Sequence, residues 1–76
     1  MNNQDLTTME DIGKIIRDTR NEQGLTQEEL AGISGTGRRF ISDLENGKNS
    51  IRTGKLLLVI KALGLNLHIF NKWMNK

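Results

Sequence analysis

The chain has 76 residues, no cysteine and a formal net charge of +2. That length holds one small domain with a marginal core and no separate catalytic lobe, and the missing cysteine excludes disulfides and thiolate metal sites. No stretch approaches the length of a membrane-spanning helix, and the opening MNNQDLTTMEDIG lacks the basic and apolar regions of a secretory signal, so a soluble, cytoplasmic domain is expected.

Residues 1–7 are polar and unpatterned and read as a flexible arm. Thr8 and Asp11 have the spacing of a capping box, and Ile12, Ile15 and Ile16 then form a helical apolar stripe. This first predicted helix runs to about Gln23, where Gly24 offers a left-handed stop. Thr26 and Glu29 repeat the capping-box spacing, so a second helix starts near Gln27 and covers Leu30, Ala31 and Ile33. Gly35 suits the tight turn that follows. A third helix runs from about Gly37 to Glu45, with Ile41 and Leu44 on its inward face, and stops at Asn46-Gly47. Lys48 to Arg52 is a loop. The fourth helix begins near Thr53, places Leu56, Val59, Ile60 and Leu63 at helical spacing, and ends at Gly64.

Two features exceed what one core needs. Leu57 and Leu58 carry the apolar surface of the fourth helix around most of its circumference, which predicts a second copy covering it. Leu65, Leu67 and Ile69 then alternate as in a half-buried strand over Leu65 to Asn71. No other segment reads as a strand, so this one should pair with its symmetry mate or with a partner's sheet. A continued fourth helix or an unstructured tail are the alternatives. The organisation is thus an arm (1–7), a helical domain (8–64) and a dimerisation strand with tail (65–76), with Leu57, Leu58, Leu67 and Ile69 at the dimer interface.

The stretch from Gly24 to Gly47 holds two short helices around a glycine turn, and the second opens with Arg38 and Arg39. This is the layout of a helix-turn-helix, whose second helix enters the DNA major groove. An ordinary helical hairpin with a basic solvated side is the competing reading. The spacing of Gln27, Ala31, Gly35, Ile41 and Leu44 favours the first, and the charge distribution suits it. Residues 1–36 carry a net charge of −4 and residues 37–76 a net of +6, so the positive half begins where the second helix of the motif begins.

Arg38 and Arg39 lie where side chains reach base edges, and an arginine there can bond guanine O6 and N7 together. Holding phosphates is the alternative for one or both. Ser42, one turn on, can bond a base or a phosphate. Asp43 either accepts from a cytosine amino group or restrains Arg39 four residues back, and restraint is the favoured reading. Gln27, in the first turn of its helix, should meet a phosphate beside the free helix amides. Lys48 and Arg52 suit phosphate contacts on the flank. Phe40 can touch a thymine methyl, although partial burial against the second or fourth helix fits it better. His68, the one histidine, has no cysteine or acid pair at ligand spacing, so no metal or catalytic role is expected of it. Trp73 either covers the strand pair or anchors a partner protein. No nucleophile–base pair, acidic pair or phosphate-cradling loop marks the chain as an enzyme, and no cofactor is implied.

Residues 12–65 resemble the helix-turn-helix repressors of the phage-repressor and Cro type (the XRE family). The resemblance is carried by Ile16-Arg17, Arg20, Gly24-Leu25-Thr26-Gln27, Leu30-Ala31, Ile41-Ser42 and Leu44-Glu45-Asn46-Gly47-Lys48. The string GRRFISDLENGK, followed by KLLLVIKALGL and a strand-like tail, is most similar to HipB-type antitoxins. The resemblance implies an all-α fold, a four- to five-helix lambda-repressor-like domain with a short C-terminal β-strand pairing across a homodimer. It places Gly37 at a base-contacting position, where the missing side chain leaves only close backbone approach. It makes Arg20 and Glu45 a structural ion pair. It further implies a sequence-specific autorepressor of a palindromic double-stranded operator, partnered by a HipA-type serine/threonine kinase toxin. A phage or plasmid repressor without a toxin, and a protein-interaction module with weak DNA binding, remain the other readings.

Overall fold

The structure, a computed structural model, describes residues 8–68, and among these it contains four helices. Helix α1 spans Met9–Glu22, α2 Gln27–Ser34, α3 Arg38–Glu45 and α4 Thr53–Ala62. Helices α1 and α2 start on side-chain caps. Thr8 caps α1, its Oγ1 accepting from the Asp11 amide at 3.1 Å. Glu10 and Asp11 in the first turn and Arg20 in the last oppose the helix dipole at the correct ends. Thr26 and Glu29 complete a reciprocal box: the Glu29 amide donates to Thr26 Oγ1 at 3.0 Å and the Thr26 amide to Glu29 Oε1 at 2.9 Å. Gly35 closes α2 with φ of 71°, a conformation open to glycine at no steric cost, and the Thr36 amide turns back onto the Ala31 carbonyl at 2.9 Å.

One apolar cluster joins the four helices. Ile16 comes from α1, Leu30 and Ala31 from α2, Ile41 and Leu44 from α3, Val59 from α4, and Leu63 from its C-terminal cap. Helix α3 packs against both α1 and α2, and α4 packs on α2. Ser34 is buried among them with its hydroxyl donating to the Leu30 carbonyl at 2.7 Å, so the polar group keeps a partner. Ile33, expected on the second helix beside Leu30, faces out at 60% exposure. The buried stripe of α2 is Leu30, Ala31 and Ser34, and position 33 falls well to its side.

Helices α1 and α3 cross closely, and Gly13 permits it. A Cβ on Gly13 would overlap the Leu44 carbonyl oxygen and stand 3.1 Å from that of Glu45. After α4, Gln23 Nε2 donates to the Leu63 carbonyl at 2.8 Å, tying the end of α1 to the end of α4. Residues 65–68 are not in a strand within the single chain, Leu65 is half-buried and Leu67 is exposed. Ile69, the rest of the expected strand, Trp73 and the arm at 1–7 lie outside the described residues. Among the described residues no helix is long and apolar enough to cross a membrane.

Candidate nucleic-acid interface

Helix α3 has two sharply different sides. Ile41, Leu44 and Glu45 point into the molecule, while Arg38 and Arg39 are exposed and Ser42 and Asp43 are half-buried on the other side. Spacings of three and four residues stack Arg38, Arg39, Ser42 and Asp43 into one outward surface. At its start, Gly37 is the N-cap and brings no side chain, and no acid occupies the first turn. The free amides of that turn therefore add to the positive charge of the two arginines. Neither arginine is in an ion pair among the described residues.

Asp43 is not the restraint on Arg39 expected from their spacing. Its Oδ2 lies 3.6 Å from Lys48 Nζ. The Lys48 amide donates to the Asp43 carbonyl at 3.1 Å, which turns the chain back over the end of α3 and carries the lysine to the aspartate. The lysine is exposed and the aspartate only half-buried, so this pair at the surface is weak. Lys48 and Arg52 lie on the exposed flank between α3 and α4.

Behind the outward face sits the joint that holds α3. Arg20 Nε donates to Glu45 Oε2 at 2.6 Å, Nη2 donates to Glu45 Oε1 at 3.0 Å, and Nη1 donates to the Leu25 carbonyl at 2.7 Å. The side chains are 12% and 3% exposed. This two-point fork is the geometry guanidinium and carboxylate form best. The hydrogen bond from Glu45 pushes the Arg20 pKa above its ordinary value, outweighing the burial that would lower it. The structural ion pair implied by the family resemblance is present. Gln27 is drawn into it, since its Nε2 donates to Glu45 Oε1 at 3.1 Å. The amide expected to meet a phosphate is thus already bonded within the protein. The capping box is separate from it; it takes up the Glu29 amide and leaves those of Gln27 and Glu28 open at the start of α2.

Phe40 is half-buried against the core, with Lys55 Nζ 5.8 Å from its ring centroid, so it links α3 to α4. Leu57 and Leu58 are 45% and 48% exposed on α4. Sequence reasoning missed Gly13, Gln23 and Lys55 as the residues that seat the helices. Gly13 had a signal, a glycine inside an apolar helical pattern, which marks close backbone approach. The other two had none within the reach of a local pattern.

Comparisons with known proteins agree with this geometry. A family model described as helix-turn-helix (HTH_3) matches residues 16–70. The chain is similar to the HTH-type transcriptional regulator y4mF of Sinorhizobium fredii, 48% identical over 64 residues that cover 84% of each chain. It is also similar to the ImmF control region 10 kDa protein of Bacillus phage phi105, 34% identical over 58 residues, 76% of this chain and 64% of that protein. Among solved structures, a chain of the HipA-HipB-O2-O3 complex superposes with a TM-score of 0.82, covering 91% of this chain and 97% of that one. At 22% identity this last likeness establishes the all-α fold.

Proposed function

Because this chain belongs to the helix-turn-helix family and is a DNA-binding regulator of transcription, we propose that it is a homodimeric, sequence-specific repressor of its own operon and the antitoxin of a HipA-type kinase. The observation that carries the repressor reading is the outward face of α3, where two arginines with no acidic partner among the described residues stand on a helix braced from behind by the Arg20–Glu45 joint. Arg38 and Arg39 read base edges, Ser42 and Asp43 complete that face, and Gly37 allows the backbone close to the bases. Lys48 and Arg52 hold phosphates on the flank, and the first turn of α2 meets another phosphate at Gln27. Leu57, Leu58, Leu67 and Ile69 pair two copies, setting the recognition helices about 34 Å apart over a palindromic site. The work is binding, in the cytoplasm and on the nucleoid, with no catalytic step.

The antitoxin part is supported by the likeness to a chain of the HipA-HipB-O2-O3 complex. Such a protein restrains its kinase by holding it in an inactive conformation or by sequestering it on DNA. The similarity to the phage phi105 control-region protein favours a second reading, a repressor with no toxin.

Binding to the protein's own upstream DNA across a salt series, beside a folded Arg38→Ala/Arg39→Ala variant, tests the repressor reading. The wild type prefers that duplex over a scrambled one, and the variant loses about 1–3 kcal/mol of preference for each good base pairing removed. Equal, weak binding of both duplexes by both proteins would point to protein interaction as the main task. Expression from the native operon tests the antitoxin part: a kinase co-purifies with the chain, whereas its consistent absence favours the toxin-free repressor. Inhibition of that kinase by the isolated C-terminal peptide would refute the restraint mechanism.

A further inference from the structure

Gln27 occupies an unusual junction. It is the first residue of α2, at the end where the amides are free for a phosphate, yet its side chain reaches the last residue of α3. Glu45 is buried at 6% exposure, and its carboxylate accepts from three donors. Two come from Arg20 on α1 and the third from Gln27 on α2. A carboxylate only accepts, so the amide nitrogen of Gln27, rather than its oxygen, must face it. That nitrogen carries a second N–H with no acceptor among the described residues.

From this we infer that Gln27 is a positioning residue for the recognition helix. Through Glu45 it fixes the rotation of α3 against α2, and through its second N–H it can still meet a phosphate. The reason lies in what else joins these helices. Among the described residues no other side-chain hydrogen bond joins α2 to α3, the residues they give to the core cluster are the apolar Leu30, Ala31, Ile41 and Leu44, and apolar packing resists separation better than it resists rotation. Arg20 ties Glu45 to α1 and, through its Nη1 bond to the Leu25 carbonyl, to the loop before α2, but not to α2 itself. A directional bond from α2 supplies the missing constraint. Helix α3 is only about 12 Å long, so a small rotation at Glu45 carries through to Arg38 and Arg39. Base readout tolerates only about 0.5 Å or 10–20° of error in such groups. Gln27 therefore contributes to sequence preference, where a simple phosphate ligand would contribute to affinity for any duplex.

This inference rests on the DNA-binding reading above, and its test separates the two. The wild type first selects a duplex from a randomised pool, and dissociation constants are then measured on that duplex and on a scrambled one. The variants are Gln27→Met, which keeps the side-chain volume and removes the amide, Arg39→Ala, and the double variant, each confirmed as folded by circular dichroism. Gln27→Met should lower the preference ratio about tenfold, the scale of a lost hydrogen bond to a charged group. The further loss should shrink in the Arg39→Ala background to the part carried by Arg38, because a misplaced arginine and a missing one read no base. Gln27→Lys restores a donor to Glu45 and should recover the ratio. Equal losses on both duplexes, additive with Arg39→Ala, would overturn the inference and leave a plain phosphate contact. An unchanged ratio in Gln27→Met would overturn it too. If the wild type selects no duplex at all, the DNA-binding reading itself fails, and the inference with it.

Discussion

Replacing Gly13 by alanine sets two physical effects against each other. Glycine inside a helix is worse than alanine by about 0.5–1 kcal/mol, so propensity alone makes Gly13→Ala stabilising. The tertiary structure reverses the sign. The new methyl overlaps the Leu44 carbonyl oxygen and stands 3.1 Å from the Glu45 oxygen. Both are backbone atoms of α3, so relief requires moving the helix rather than swinging a side chain. Overpacking of this kind costs about 1–3 kcal/mol, and an overlap this deep with backbone atoms falls at the upper end, which leaves a net loss of about 2 kcal/mol after the propensity gain. For a domain of this size that lowers Tm by roughly 5–15 °C. Gly32 is the matched control: it lies within α2, and a methyl there meets nothing within 4 Å. Gly32→Ala should therefore raise stability by about 0.5–1 kcal/mol. Thermal unfolding followed by circular dichroism at one fixed protein concentration measures both, since the proposed dimerisation would make Tm concentration-dependent. Two variants that shift Tm in the same direction would refute the close-crossing account. The same displacement of α3 should cost Gly13→Ala part of its sequence preference on DNA.

Glu45→Ala strands a buried guanidinium and should lose about 3–5 kcal/mol in urea unfolding, enough to unfold most of so small a domain; a neutral result would mean the pair is wet. Lys48→Ala should leave stability within about 1 kcal/mol, because Lys48 is exposed and its partner Asp43 is 3.6 Å away, while the slope of log binding constant against log salt falls by about 0.9 for each phosphate that is no longer neutralised. The scrambled and operator duplexes should be affected alike, and a changed preference would place Lys48 at a base. Leu57→Glu/Leu58→Glu should convert dimer to monomer in sedimentation and weaken operator binding while the helical content stays; a variant that remains dimeric would move the interface elsewhere on the chain.

The features legible in the sequence were those with a reach of about four residues. Thr26 and Glu29 form their capping box within one turn, Gly24 and Gly35 stop helices they directly follow, and the apolar positions of each helix repeat at its own period. Such signals act through the backbone of the same segment, so no other part of the molecule is needed to read them. The outward face of α3 follows from its period in the same way. The Arg20–Glu45 pair, separated by 25 residues, was foreseen through the resemblance to a family and not through any local spacing.

Tertiary structure alone decided which of several chemically equal partners each polar group took. Asp43 sits four residues from Arg39 and five from Lys48, and the backbone bond that folds the loop over α3 settles it on Lys48. Gln27 had an open choice between solvent, phosphate and Glu45, and the packing of α2 beside the end of α3 brings the carboxylate within 3.1 Å. Gly13 reads as a weak helix residue until the Leu44 carbonyl is known to lie over it. The reason is common to all three. Hydrogen bonds and steric overlap change steeply over about 1 Å, and the positions of two helices relative to each other are set to that precision by the whole core rather than by either helix's own residues.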